Sequence, residues 1–147
     1  MKNAYRDLAV MTLASAVVMF LAMYLMIDTL ADFYFNLNTL YMTAAMVAPM
    51  VAIMLAMMRH MYENKRLNAA IHIACAVVFL GSVALVRTQT TIGDRAFLTS
   101  MVPHHSGAIL MCRKASLKDP ELIRLCARIK TSQRQEIDEM NSILHRK

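Results

Sequence analysis

Apolar residues change their spacing once along this chain. Up to about residue 86 they fall in near-continuous runs, and beyond it they recur with the period of an α-helix. Three runs, 8–27, 40–58 and 67–86, contain no Asp, Glu, Lys or Arg. Each approaches the ~20 residues that cross the hydrocarbon core of a bilayer, so three transmembrane helices are predicted. The first run exceeds the ~7–15 residues of a signal-peptide core, and no clear small-x-small cleavage site follows it, so it is read as an uncleaved anchor.

After Arg87 the segment "RTQTTIG" reads as a connector, and Asp94 can cap a helix reaching to about Ser116. Pro103 falls inside that helix and must either kink it or mark a restart. "KDPE" is a second start signal: Asp119 suits the cap, Pro120 the first helical position and Glu121 the positive first turn. The helix it opens repeats Leu122, Ile129, Ile137 and Leu144 on one face. The expectation is an all-α protein in two parts, a three-helix transmembrane region over 1–87 and a helical hairpin over 88–147. Two helices with apolar stripes cannot bury both faces alone, so the hairpin is expected to pair with a second copy as a four-helix bundle.

Composition agrees with a membrane protein: 147 residues, 58% hydrophobic, 15 of them methionine, with a net charge of +6. Basic residues give the orientation. Lys2 and Arg6 precede the first run, "DTLADFYFNLNT" after it has Asp28 and Asp32 but no Lys or Arg, and "RHMYENKR" has Arg59, Lys65 and Arg66. The positive-inside bias places the N-terminus in the cytosol and the hairpin outside, against the pull of Arg87 and Arg95. No stretch interleaves aromatic and basic residues as a nucleic-acid groove would, so nucleic acid is not an expected partner.

The chemistry gathers in "MVPHHSGAILMC". Met101, His105, Ala108 and Cys112 share one helical stripe, flanked by His104 and Met111, and Cys126, Gln133 and Met140 form a stripe on the second helix. With the turn near Asp119, an antiparallel hairpin sets Cys112 opposite Cys126 and His105 level with Gln133. Thioether, thiolate and imidazole together suit Cu(I) better than Mg²⁺ or Ca²⁺, and Zn²⁺ rarely uses methionine. Each piece has a plainer reading: core-filling methionines, a surface histidine, and a structural disulfide between Cys112 and Cys126. In the spans, Met42, Met46, Met50, Met54 and Met58 repeat every four residues, while Met19, Met23 and Met26 share a face of the first run. Such rows could pass a soft cation or simply fill space in lipid. His72 is the one titratable base inside the spans, Cys75 reads as apolar filler, and no proton relay is visible.

"FLTSMVPHHSGAILMC" followed by "DPELIRLCARIKTSQRQEIDEM" resembles the domain of unknown function family 305, with its Met-x-Pro-His-His entry and Gln-x-x-Glu-Ile-x-x-Met exit. "APM" at 48–50 and "MYENKRLN" from Met61 resemble its three-span membrane branch. The resemblance implies a ferritin-like helical bundle and copper binding, with copper or silver tolerance outside the cytoplasm. Carried over, the motif positions are Met101, His104, His105, Met111, Gln133, Glu136 and Met140. A single hairpin where longer members have more again implies a dimer, and many members lack the thiols of Cys112 and Cys126.

The resulting expectation is an inner-membrane protein whose ferritin-like hairpin, periplasmic or extracellular, binds or hands on Cu(I), with Ag(I) or Zn²⁺ as alternatives. Met101, His104, His105, Met111, Cys112 and Met140 are the expected metal ligands. Gln133 and Glu136 would orient the histidine, and Cys126 is the disulfide candidate. Expected partners are the bilayer, a second copy and copper-handling proteins. No nucleophile, base and oxyanion set can be assembled, so catalysis is not expected. The rival reading is a structural membrane protein with a disulfide-stapled, dimerising hairpin and no metal.

Overall fold

A computed structural model describes residues 4–146; Lys2, used for orientation, lies outside them. Five α-helices and one 3₁₀ turn, with no strand, make up the described residues: α1 (Ala4–Ala22), the turn (Leu30–Asp32), α2 (Leu37–Met57), α3 (Lys65–Thr88), α4 (Asp94–Lys114) and α5 (Pro120–Arg146). α1, α2 and α3 are long and apolar enough to cross a membrane, the marks of a membrane protein.

The chain forms two compact units, and they interleave: residues 1–22 and 38–91 make one, residues 23–37 and 92–147 the other. In the first, Leu8, Val47, Val51, Leu55 and Tyr62 form a core. Two hydroxyls within the apolar helices bond to their own backbone, Thr12 donating to the Leu8 carbonyl and Thr43 to that of Thr39. Asn64 caps α3 by accepting from the Leu67 amide, and Asn68 accepts from the Tyr5 hydroxyl across to α1. At the other end, Gln89 takes the left-handed conformation that closes α3, and its amide exchanges hydrogen bonds with that of Asn38. The methionine row of α2 winds as its spacing requires: Met42 and Met46 are exposed, whereas Met50, Met54 and Met58 pack on the core.

The row expected along the first run is divided instead, because α1 stops at Ala22 and Met23 and Met26 belong to the second unit. That early stop follows from what comes next. Tyr24 is buried and its hydroxyl donates to the Tyr34 carbonyl, which turns the chain into a loop packed on α4 and α5. Buried Asn36 donates to Tyr24 and accepts from Ser100 on α4, and the Tyr34 hydroxyl donates to Asn141 on α5. Gly107 lets the loop approach closely, since a β-carbon there would stand 3.3 Å from the Met26 carbonyl oxygen. Ser106, fully buried, accepts from the Asp28 amide at 2.7 Å and donates to Asp32 at 2.6 Å. Arg113 lies 2.8 Å from Asp28, and Arg134 lies 3.6 Å from Asp28 and 3.7 Å from Asp32. The hairpin thus buries one face against the chain's own first loop, which the expectation of a bare two-helix module did not include.

In the hairpin itself, Gly93 rather than Asp94 is the cap of α4, and Asp94 occupies its first turn. α4 runs through Pro103 without a break. Asp119 caps α5 as its sequence suggests, accepting from the Glu121 amide at 2.7 Å. Leu98, Val102, Ile109, Ile137, Met140 and Leu144 form the hairpin core.

Ser106→Ala should cost about 1–3 kcal/mol, because a buried amide and a buried carboxylate oxygen each lose a partner. Hydrogen exchange in 23–37 should rise more than in the core of α5, and an unchanged loop would refute the assignment. The interleaving also requires both parts of the second unit to lie on one side of the membrane. A membrane-impermeant maleimide should therefore label Leu30→Cys and Ser142→Cys from the same side and Glu63→Cys from the other.

Candidate functional site

The site rests on the rotational setting of α4. Ser106 and Gly107 face the loop, so the preceding residue, His105, turns toward α5 and His104, about 100° away, turns to solvent. The His105 side chain is 12% exposed, and its Nδ1 lies 3.1 Å from Glu136 Oε2. The carboxylate does not approach along a direction that a ring N–H can use, so Nδ1 is buried without a hydrogen bond. Burial lowers the His105 pKa below its usual 6.5, with Glu136 acting to raise it and His104 to lower it. His105 is accordingly a neutral imidazole at pH 7, the form that ligates metals.

Spacing set His105 level with Gln133, yet its contact is Glu136, one turn further along. Each side chain leans toward the N-terminus of its own helix, so in an antiparallel pair long side chains meet beyond the residues whose Cα atoms are level. Short side chains keep the register. Cys112 and Cys126 face each other as the arithmetic required, with Cα atoms 5.2 Å apart, and are joined in a disulfide. This corrects one expected ligand: in the disulfide, Cys112 has no thiolate to offer a metal, and Cys126 is its partner.

The remaining candidates divide between inside and outside. Met140 is buried in the hairpin core and Met101 packs on the same cluster as His105's helix passes it. Gln133 is half-buried. His104 is exposed, its ring centre 6.0 Å from that of His105, and Met111 is 58% exposed. Neither joins the core with Met101 and Met140. Among the described residues, no three His, Cys, Asp or Glu side chains converge as a metal cage.

Sequence reasoning passed over Asp28, Asp32, Ser106, Arg113 and Arg134, which together fix α4. A signal was present: two carboxylates four residues apart in a loop with no basic residue need cations from elsewhere in the fold.

The family model described as Domain of unknown function (DUF305) matches residues 44–144. The chain belongs to the DUF305 family. The matched region spans α2, α3 and both hairpin helices, so membrane spans and hairpin together carry the likeness. The chain is also similar to the uncharacterized protein L153 of Acanthamoeba polyphaga mimivirus, 34% identical over 137 residues, covering 91% of this chain and 88% of that one. No solved structure matches.

The lowered pKa sets a pH dependence. Below the unfolded value of 6.5, an unfolded His105 takes up a proton before the folded one does, so its contribution to stability is complete above 6.5 and is lost as the pH falls toward the folded value. His105→Asn should therefore flatten the fall in hairpin melting temperature between pH 7 and about 5, as followed by circular dichroism; an unchanged slope would place the titration elsewhere.

Proposed function

We propose that this protein is a membrane-anchored Cu(I)-binding protein of copper tolerance or homeostasis, with His105 as the central ligand and Met101 and Met140 as thioether donors. The observation that supports it is the largely buried imidazole of His105 against Glu136, one helical turn along α4 from Met101, which packs with Met140 in the hairpin core. The negative charge of Glu136 near Nδ1 favours a proton on that nitrogen over Nε2, and a small turn of the carboxylate would complete the hydrogen bond by which such groups tune metal-bound histidines. Imidazole with thioether selects Cu(I), and by the same softness Ag(I), over hard cations, with Zn²⁺ the weaker competitor. The resemblance of "MVPHHSGAILMC" to copper-associated members points the same way.

One imidazole and two thioethers make a sparse set, and a second hairpin would supplement it. Phe97, His104 and Met111 are exposed at seven-residue spacing along α4, a face on which two copies would form a ferritin-like four-helix bundle. In this reading the hairpin is periplasmic or extracellular, the N-terminus is cytosolic in the inner membrane, and copper-handling proteins supply or receive the ion. The protein is a binder rather than an enzyme.

A second reading is favoured by the disulfide and by the lack of a His, Cys, Asp and Glu cage among the described residues: a structural hairpin, stapled and dimerising, without metal. Titration of the detergent-solubilised, disulfide-intact chain with Cu(I) against a competing chelator, with Zn²⁺ in parallel, separates the two. On the copper reading Cu(I) is retained, Glu136→Gln weakens it about 10–100-fold and His105→Ala weakens it further. Retention unaffected by either substitution, or none at all, leaves the structural reading standing.

A further inference from the structure

The disulfide sits at an unusual place in the hairpin. Between Ile109 and Ile137, the last buried residue of α4 and the first of α5, no side chain is fully buried. Leu122, Ile123 and Leu125, the apolar residues that open α5, are exposed. Arg113 and Arg134 both reach Asp28, which ties the two helices ionically at that level. The covalent tie between α4 and α5 is the Cys112–Cys126 bond, one residue before Arg113 on α4 and eight before Arg134 on α5, and both cysteines are partly exposed. The same stretch, residues 113–130, carries six basic side chains, Arg113, Lys114, Lys118, Arg124, Arg128 and Lys130, against two acidic ones, Asp119 and Glu121.

We propose that Cys112 and Cys126 form a redox-gated dithiol site: oxidised, the pair staples the turn end of the hairpin, and reduced, it presents two thiolates that bind one Cu(I) ion. The reductant is a dithiol. One of its thiolates attacks a cysteine sulfur, the Sγ–Sγ bond breaks, and its second thiol resolves the mixed disulfide. Two electrons and two protons pass to Cys112 and Cys126, and the donor is left as its own disulfide. Cu(I) then displaces the two thiol protons to solvent, with no change in oxidation state, and the resulting dithiolate complex carries one negative charge.

Three features of the chain suit this step. Partial exposure admits the reductant to the sulfurs. The net positive charge of residues 113–130 favours thiolate over thiol and stabilises the anionic complex. The core at Leu98, Val102, Ile137, Met140 and Leu144 lies beyond the staple, so the body of the hairpin holds while its turn end loosens. The site is separate from His105, which lies seven residues or about 10 Å away along α4, and it does not rest on copper binding there.

The test uses the full chain in detergent, oxidised or reduced with dithiothreitol that is then removed anaerobically. One equivalent of Cu(I) should produce the ultraviolet thiolate-to-copper charge-transfer band in reduced protein alone. The band should be absent from oxidised protein and from reduced Cys112→Ser/Cys126→Ser. Imidazole and thioether ligation does not produce it, so Cu(I) held by oxidised protein reports the His105 site separately. By hydrogen exchange, reduction should speed amides 115–130 by tenfold or more and leave 137–144 protected. A reduced protein without the band, loosening that extends through 137–144, or a disulfide that resists the dithiol until the hairpin unfolds would each overturn the proposal.

Discussion

The second unit depends on two carboxylates removed from water. Asp28 and Asp32 have side chains 4% and 3% exposed, and a buried charge without partners costs several kcal/mol. The loop's path is therefore fixed by where partners exist: the Ser106 hydroxyl on α4, and the guanidinium groups of Arg113 on α4 and Arg134 on α5. Because the arginines come from both helices, the same contacts hold the hairpin together. The loop is in effect a third layer, and α1 must end at Ala22 to let it begin.

This constraint reaches the membrane topology. Residues 23–37 and 92–147 are separated in sequence by α2 and α3, and only an even number of crossings returns the chain to the side it left. Two helices long and apolar enough to cross a membrane lie between the two parts of the unit, an arrangement in which a loop can dock on a domain that lies far ahead in sequence.

It also reaches the candidate site. Ser106 and Gly107 are held against the loop, which leaves α4 no freedom to rotate about its axis. His105 is thereby committed to α5 and Glu136, and His104 to solvent, as the stripe shared by Met101, His105 and Cys112 suggests. Burial then lowers the His105 pKa, so the docking of the loop on Ser106 and Gly107 decides which of the two histidines is held as a largely buried imidazole inside the hairpin.

The three apolar runs and the α4–α5 hairpin were legible in the sequence, because uninterrupted hydrophobicity, the 3.6-residue period and the Asp119-Pro120 start signal are local properties of the chain. Spacing also foretold that Cys112 would meet Cys126, since short side chains meet where their Cα atoms are level. It set His105 level with Gln133, whereas of the two residues expected to orient the histidine it is Glu136 that reaches it, because long side chains lean along the helix. It had no means of placing the loop on Ser106, because that contact joins residues 74 apart through a hydroxyl and a carboxylate, and neither leaves a periodic trace in the sequence. The sequence by itself determined which segments are helices and which can enter a membrane. Only the tertiary structure decided which faces of those helices are buried, because that depends on where two desolvated carboxylates find their partners.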